Sequence, residues 1–169
     1  MTTQLYWIAG NWPGRLAITP RPRGGDWLED EVSAWSGAGL DVVVSLLEPA
    51  EVADLELSHE GALAGLSGIE FISFPILDRS VPASRESVAE LVGRLAAALR
   101  EGKNAAIHCR QGIGRAALVA VSVLVGLGVE VGCAIEQVGA ARGLAVPETP
   151  EQRQWLLDFA RRGPAPATG

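Results

Sequence analysis

Apolar residues fall along this chain in two rhythms: short unbroken runs, and longer stretches spaced every three or four positions. The runs predict strands. Asp41-Val-Val-Val-Ser-Leu-Leu47 is apolar on both sides of any pleat, the pattern of a strand covered on both faces. Ala105 to His108 reads as a second buried strand, Ile69 to Pro75 as another, and Leu5 to Ala9 and Arg15 to Ile18 as two short strands either side of a Trp-Pro-Gly turn. Thr19 to Gly25 is a loop of Pro, Arg and Gly.

The spaced stretches predict helices. Val88, Leu91, Val92, Leu95 and Leu99 form one stripe along a helix from Ser84 to Arg100, with Ser84 as its cap. Asp26 is placed to cap a helix running to about Trp35 and ended by Gly37 and Gly39. Residues 49 to 57 and 59 to 66 read as short helical pieces broken near Ser58 and Gly61, and Val131 to Ala141 and Thr149 to Arg161 as two more helices. Ala116 to Val129 is apolar almost throughout; at about 14 residues it falls short of the roughly 18 that suggest a membrane span, so it predicts a buried helix. Strands alternating with helices predict a single α/β domain over residues 1–162. Its central, mostly parallel sheet would be flanked by helices on both faces and joined by right-handed crossovers. The Gly-Pro-Ala-rich tail 163–169 is expected to be flexible.

Composition narrows the function classes. A chain of 169 residues, 48% hydrophobic and 20% charged, can build one core. A formal charge of −6 argues against nucleic acid or an anionic membrane as the main partner. Two cysteines and two histidines supply neither a four-ligand zinc site without carboxylates nor a disulfide framework. The N-terminus shows no basic segment leading into an apolar run, so no signal peptide is expected. A monomer in a reducing, cytoplasmic setting is the expectation.

The candidate chemistry lies in Ile107-His108-Cys109-Arg110-Gln111-Gly112-Ile113-Gly114-Arg115. A cysteine follows a buried strand, a glycine-bearing loop comes next, and an arginine opens an apolar helix. In parallel sheets ligands bind beyond the carboxyl ends of strands. The backbone N–H groups of such a loop form an anion nest, and the helix N-terminus adds partial positive charge. Gly112 and Gly114 allow close backbone approach, and the guanidinium of Arg115 can grip two phosphate oxygens. The same field favours the thiolate of Cys109, the nucleophilic form of its side chain. Nucleophile and anion cradle coincide, which suits attack on a phosphate ester.

His-Cys-x5-Arg with glycine at position 112 resembles the signature of the cysteine-dependent protein tyrosine phosphatase superfamily, and the surrounding chain resembles its small dual-specificity branch. The resemblance runs over about residues 5 to 160 and includes Asp41–Leu47, Phe74-Pro-Ile-Leu-Asp-Arg-Ser-Val-Pro82 and Glu148-Thr-Pro-Glu-Gln152. It implies hydrolysis of phosphomonoesters through a cysteinyl-phosphate, with no metal or other cofactor. Cys109 would attack phosphorus, Arg115 and the amides of Arg110, Gln111, Gly112, Ile113 and Gly114 would hold the phosphate, and His108 would orient the loop. Asp78 matches the family's general acid; it lies on a loop about six residues ahead of the helix that Ser84 caps. The substrate implied is a phosphorylated protein, with phosphotyrosine first and phosphoserine or phosphothreonine second, or a small phosphate ester such as a phosphoinositide, a sugar phosphate or an RNA 5′ end.

Two positions depart from the family. Most members carry Ser or Thr after the signature arginine, where this chain has Ala116. That hydroxyl helps sulfur leave in the second step, and losing one such hydrogen bond costs on the order of 10²-fold. Larger tyrosine-specific members carry two water-positioning glutamines where this chain has Glu148 and Gln152, so only Gln152 matches; the plainer reading of Gln152 is polarity at a helix start. Arg79 and Arg110 flank the expected mouth, either attracting acidic substrates or simply solvated. Cys133, inside an apolar helical pattern, is expected to be a buried structural residue. The other classes weighed are a phosphate-binding relic without turnover, favoured by Ala116, and a sulfurtransferase or arsenate reductase. The last two need a shorter loop or a well-placed resolving cysteine.

Overall fold

A computed structural model describes residues 2–163; the expected tail from 164 to 169 lies outside the described residues. Five strands form one sheet in the order β1-β2-β5-β3-β4: β1 (Tyr6–Ile8), β2 (Leu16–Thr19), β3 (Val42–Ser45), β4 (Glu70–Ser73) and β5 (Ala105–His108). All pairings are parallel except β1 with β2, so the sheet is mixed, and only its first strand departs from the parallel expectation. The central strands β2, β3 and β5 are buried at every position, because helices cover both faces.

One face carries α1 (Leu28–Gly37), α2 (Pro49–Asp54) and α3 (Glu60–Leu66); Val32, Trp35 and Ala64 pack against Ala17, Val43 and Ala106 of the sheet. The other carries α4 (Arg85–Arg100), α5 (Arg115–Gly126), α6 (Val131–Arg142) and α7 (Pro150–Arg162), packed against Leu16, Ile18, Val42, Val44 and Ile107. Alternate strand residues thus feed opposite cores. Helix α5 is buried from Arg115 to Leu124 because α4, α6 and α7 enclose it against the sheet, which explains its unbroken apolar sequence. The α4 stripe is buried as predicted, and Ser84 Oγ accepts the Ser87 N–H at 3.2 Å.

Four local expectations need correction. Asp26 caps no helix: residues Gly25–Trp27 form a 3₁₀ turn behind Gly24, and α1 starts after it without a side-chain cap bond. Gly61 does not break the chain but lies within α3, where a Cβ would stand 2.9 Å from the Phe71 ring, so glycine lets α3 close on β4. Helix α2 stops at Asp54 rather than continuing to 57, because Glu56 turns into the left-handed region at φ 55°. Cys133 is exposed rather than buried: the inward face of α6 is Ala134, Ile135 and Val138, and Cys133 precedes it in the first turn, with its N–H donated to Glu130. The Glu130 carboxylate beside it pushes the Cys133 thiol up from its ordinary value, which makes it a poor nucleophile.

Candidate active site

Strand β5 ends at His108 in the middle of the sheet, and the chain leaves its carboxyl end as a loop that reaches α5 at Arg115. His108 and Cys109 are both buried. The imidazole faces two acceptors, with Nε2 at 2.5 Å from Glu60 Oε1 and Nδ1 at 3.3 Å from the Cys109 carbonyl. Glu60 opens α3 and is itself buried, so the loop's first residue is fixed to the opposite helical layer. Gly112 turns the loop at φ 70° and donates its N–H to Cys109 Sγ at 3.3 Å. A Cβ there would stand 2.8 Å from the Thr19 backbone, so this turn requires glycine. Arg142, at the end of α6, donates to the Gln111 and Gly112 carbonyls at 3.3 Å each and stacks on Tyr6. Those contacts turn carbonyls outward from the nest and leave amides for an anion. Ile113 packs against the core, while Gln111 is exposed.

Arg115 is 2% exposed, and its fork is held from below. Glu51 accepts from Nη1 at 2.7 Å and Nη2 at 3.0 Å, and the Ile76 carbonyl accepts from Nη1 at 2.9 Å. Asp78 Oδ1 lies 2.9 Å from Nη2. Glu51 therefore takes the end of the guanidinium, leaving the side formed by Nε and the Nη2 hydrogen that faces Asp78 for a second oxyanion. Burial by itself would disfavour the charge on Arg115; the Glu51 hydrogen bond and the charges of Cys109, Glu51 and Asp78 outweigh it and raise its pKa. Burial pushes the Glu51 carboxyl up, but hydrogen bonds from Arg115 and the Glu48 N–H, with the charges of Arg115 and Arg110, bring it below the ordinary value. Helix α2 aims Glu51 at this point through a capping box with Glu48, set directly after β3.

Asp78 sits on the exposed loop between β4 and α4, and its Oδ1 also accepts the Arg79 N–H at 2.9 Å. Arg79 pairs with Glu148 at 2.9 Å. Gln152, fully buried, shares a capping box with Thr149, and its Nε2 donates to the Ser80 carbonyl at 3.0 Å. Its side-chain oxygen and one amide hydrogen are thus taken by the protein. The structure brings Cys109, Arg115, Asp78, Arg79, Arg110 and Glu148 around one cavity of about 100 Å³. Glu51, Glu60 and Arg142 are the site residues absent from the sequence-based set; only the Glu48-Pro-Ala-Glu51 capping pattern was readable in advance.

A buried cysteine and a buried arginine thus stand across a five-residue loop at one cavity, and the family match places the chain in the cysteine-dependent protein tyrosine phosphatase superfamily. A family model described as "Polymorphic toxin system, DSP-PTPase phosphatase" matches residues 19–129, and the chain belongs to that family. Among solved structures it is similar to kinase associated phosphatase carrying a catalytic-site cysteine-to-serine substitution, with TM-score 0.87 and 20% identity over 96% of each chain. It is also similar to Tk-PTP in its active form, with TM-score 0.76 and 28% identity over 94% of this chain and 97% of that one. A third likeness is to PTPMT1, with TM-score 0.74 and 17% identity over 92% and 94% of the two chains. No curated protein matches. Among the described residues no helix is long and apolar enough to cross a membrane.

Proposed function

We propose that the protein hydrolyses phosphomonoesters through a cysteinyl-phosphate, acting on phosphotyrosine in proteins and, secondarily, on phosphoserine and phosphothreonine. The observation that carries this reading is the convergence of Cys109, Arg115 and Asp78 on one cavity of about 100 Å³. In the first step the Cys109 thiolate attacks phosphorus, the P–O bond to the leaving group breaks, and protonated Asp78 gives its proton to the departing oxygen. In the second, water attacks phosphorus, the Asp78 carboxylate takes the water's proton, and the S–P bond breaks to return the thiolate and release inorganic phosphate. Arg115 and the loop amides hold the equatorial oxygens, where charge concentrates in both transition states. Arg110 stands at the rim, where it meets acidic groups flanking the phosphate, while Arg79 is paired with Glu148.

Rapid-quench kinetics with para-nitrophenyl phosphate, in the presence of chelator, test the reading. The expected outcome is a burst of nitrophenol and a trapped phosphoenzyme, because the second step lacks the hydroxyl that Ala116 replaces. Replacing Ala116 by Ser is expected to raise steady-state turnover roughly 3- to 10-fold and to shrink the burst. Turnover lost to chelator would exclude the mechanism, and steady turnover with no burst would exclude the slowed second step. Ala116 also favours a second reading, a phosphate-binding module without catalysis; phosphopeptide affinity with no release of phosphate by the folded, reduced protein would establish it. Faster turnover of a phosphoinositide than of phosphotyrosine peptides would move the substrate class to lipids.

A further inference from the structure

The loop that carries Asp78 is tied to the start of α7 by contacts that do not pass through Arg115. Arg79 Nη1 meets Glu148 Oε1 at 2.9 Å, and the Ser80 carbonyl accepts Gln152 Nε2 at 3.0 Å. The tie to Arg115 is of another kind, because a phosphate gripped by the Nε–Nη2 side of Arg115 competes with Asp78 for the same donor. With substrate in the cradle, Asp78 keeps the local bond from the Arg79 N–H, and the residues that follow it, Arg79 and Ser80, are held from outside the loop by α7 and by Glu148 just ahead of it. Arg79 also holds a left-handed backbone at φ 59°, a conformation that favours glycine or asparagine. An arginine occupies that strained position next to the candidate acid, and its side chain reaches across the cavity mouth to Glu148. Glu148, just ahead of α7, also lies close to the catalytic loop: a Cβ on Gly114 would stand 2.9 Å from its Oε2.

We propose that Arg79 and Glu148 are positioning residues for Asp78: their ion pair holds the loop closed so that the acid remains over the leaving oxygen when phosphate displaces it from Arg115. The inference rests on the phosphatase reading above. It separates binding from proton delivery. Losing the pair loosens the acid without touching the nucleophile, the arginine fork or the loop amides, so its effect depends on how much the leaving group needs a proton.

The test measures kcat/KM, which reports only the first step, for two aryl esters. Phenyl phosphate releases an oxygen that needs protonation; 2,4-dinitrophenyl phosphate releases one that does not. Arg79→Asn, which suits a left-handed backbone, and Glu148→Gln are each expected to lower kcat/KM for phenyl phosphate about three- to fivefold, the scale of a partly exposed ion pair, while leaving the dinitrophenyl ester nearly unchanged. The exchange Arg79→Glu with Glu148→Arg is expected to recover most of the loss, and neither single change should add to Asp78→Asn. Equal losses on both esters would mean that Arg79 binds phosphate directly and would overturn the proposal. So would full additivity with Asp78→Asn, or an unchanged ratio of the two esters in Arg79→Asn. Absence of wild-type turnover on both esters would overturn the phosphatase reading and this proposal with it; normal wild-type turnover with an unchanged ratio would overturn this proposal alone.

Discussion

Replacing Cys109 by serine is expected to lower hydrolysis of para-nitrophenyl phosphate by about 10⁴-fold or more while leaving phosphate affinity intact. A serine hydroxyl is a nucleophile only when a neighbouring base takes its proton. None stands ready here: Asp78 is the proton donor in that step, and His108 is fully buried, its two nitrogens facing Glu60 and the Cys109 carbonyl. The Gly112 N–H that donates to sulfur at 3.3 Å and the helix start at Arg115 stabilise an anion but cannot generate an alkoxide at neutral pH. The rest of the binding apparatus is untouched: Arg115 and Arg142 make no bond that the exchange removes, and the Gly112 N–H that donates to sulfur can donate to the serine oxygen instead. Calorimetric titration with inorganic phosphate, paired with the chelator-treated assay, checks both halves. More than about 1% residual turnover would show that Cys109 is not the nucleophile, and lost phosphate affinity would show that the loop had collapsed rather than lost its reactive atom.

What could be read from the chain followed how local the cause was. The five strands and the α4 and α5 stripes depend on neighbours within a few residues, so periodicity found them. The anion loop was legible for the same reason: Cys109, Gly112 and Arg115 are contiguous, and the strand before and helix after them were visible in the pattern. Misreadings arose where a single residue's environment comes from distant chain. Cys133 sits in an apolar-looking helix, yet the helix rotates so that Ala134, Ile135 and Val138 face the core. Gly61 looked like a breaker, but Phe71 of β4 requires it within α3. The supports of the site, Glu51, Glu60 and Arg142, approach the loop from three different helices. Each is one of many similar charged residues, with 20 acidic side chains in the chain, and nothing local distinguishes the one that points inward.

Glu51 is where that missing information has its largest consequence. Glu51→Gln leaves the buried Arg115 without its bidentate carboxylate and turns an N–H donor toward a guanidinium that can only donate. Breaking a buried pair from one side costs about 3–5 kcal/mol; Asp78 still faces Nη2 and Glu51 is 12% exposed, so a loss of about 2–3 kcal/mol at neutral pH is expected. Catalysis should suffer more than stability. With the end of the fork released, the Nε–Nη2 side loses its fixed aim, and a displacement near 1 Å is enough to cost about 10²-fold in kcat/KM. The stability term also carries a pH signature. The Glu51 carboxyl lies below its ordinary value of 4.5 in the folded protein, since Arg115, Glu48 and Arg110 outweigh the opposing effect of burial. Its contribution is therefore complete above the unfolded value and is lost as pH falls through the lower folded one. Denaturant unfolding should show the wild type and Glu51→Gln furthest apart at neutral pH and converging in acid below 4.5. A constant gap across that range would mean that the variant acts through packing rather than charge. A stable variant with unchanged kcat/KM would mean that the Ile76 and Leu46 carbonyls suffice to aim Arg115. The expected result is a protein that still folds near neutrality, keeps its thiol, and has lost the fixed direction of the one arginine that is fully buried among the described residues.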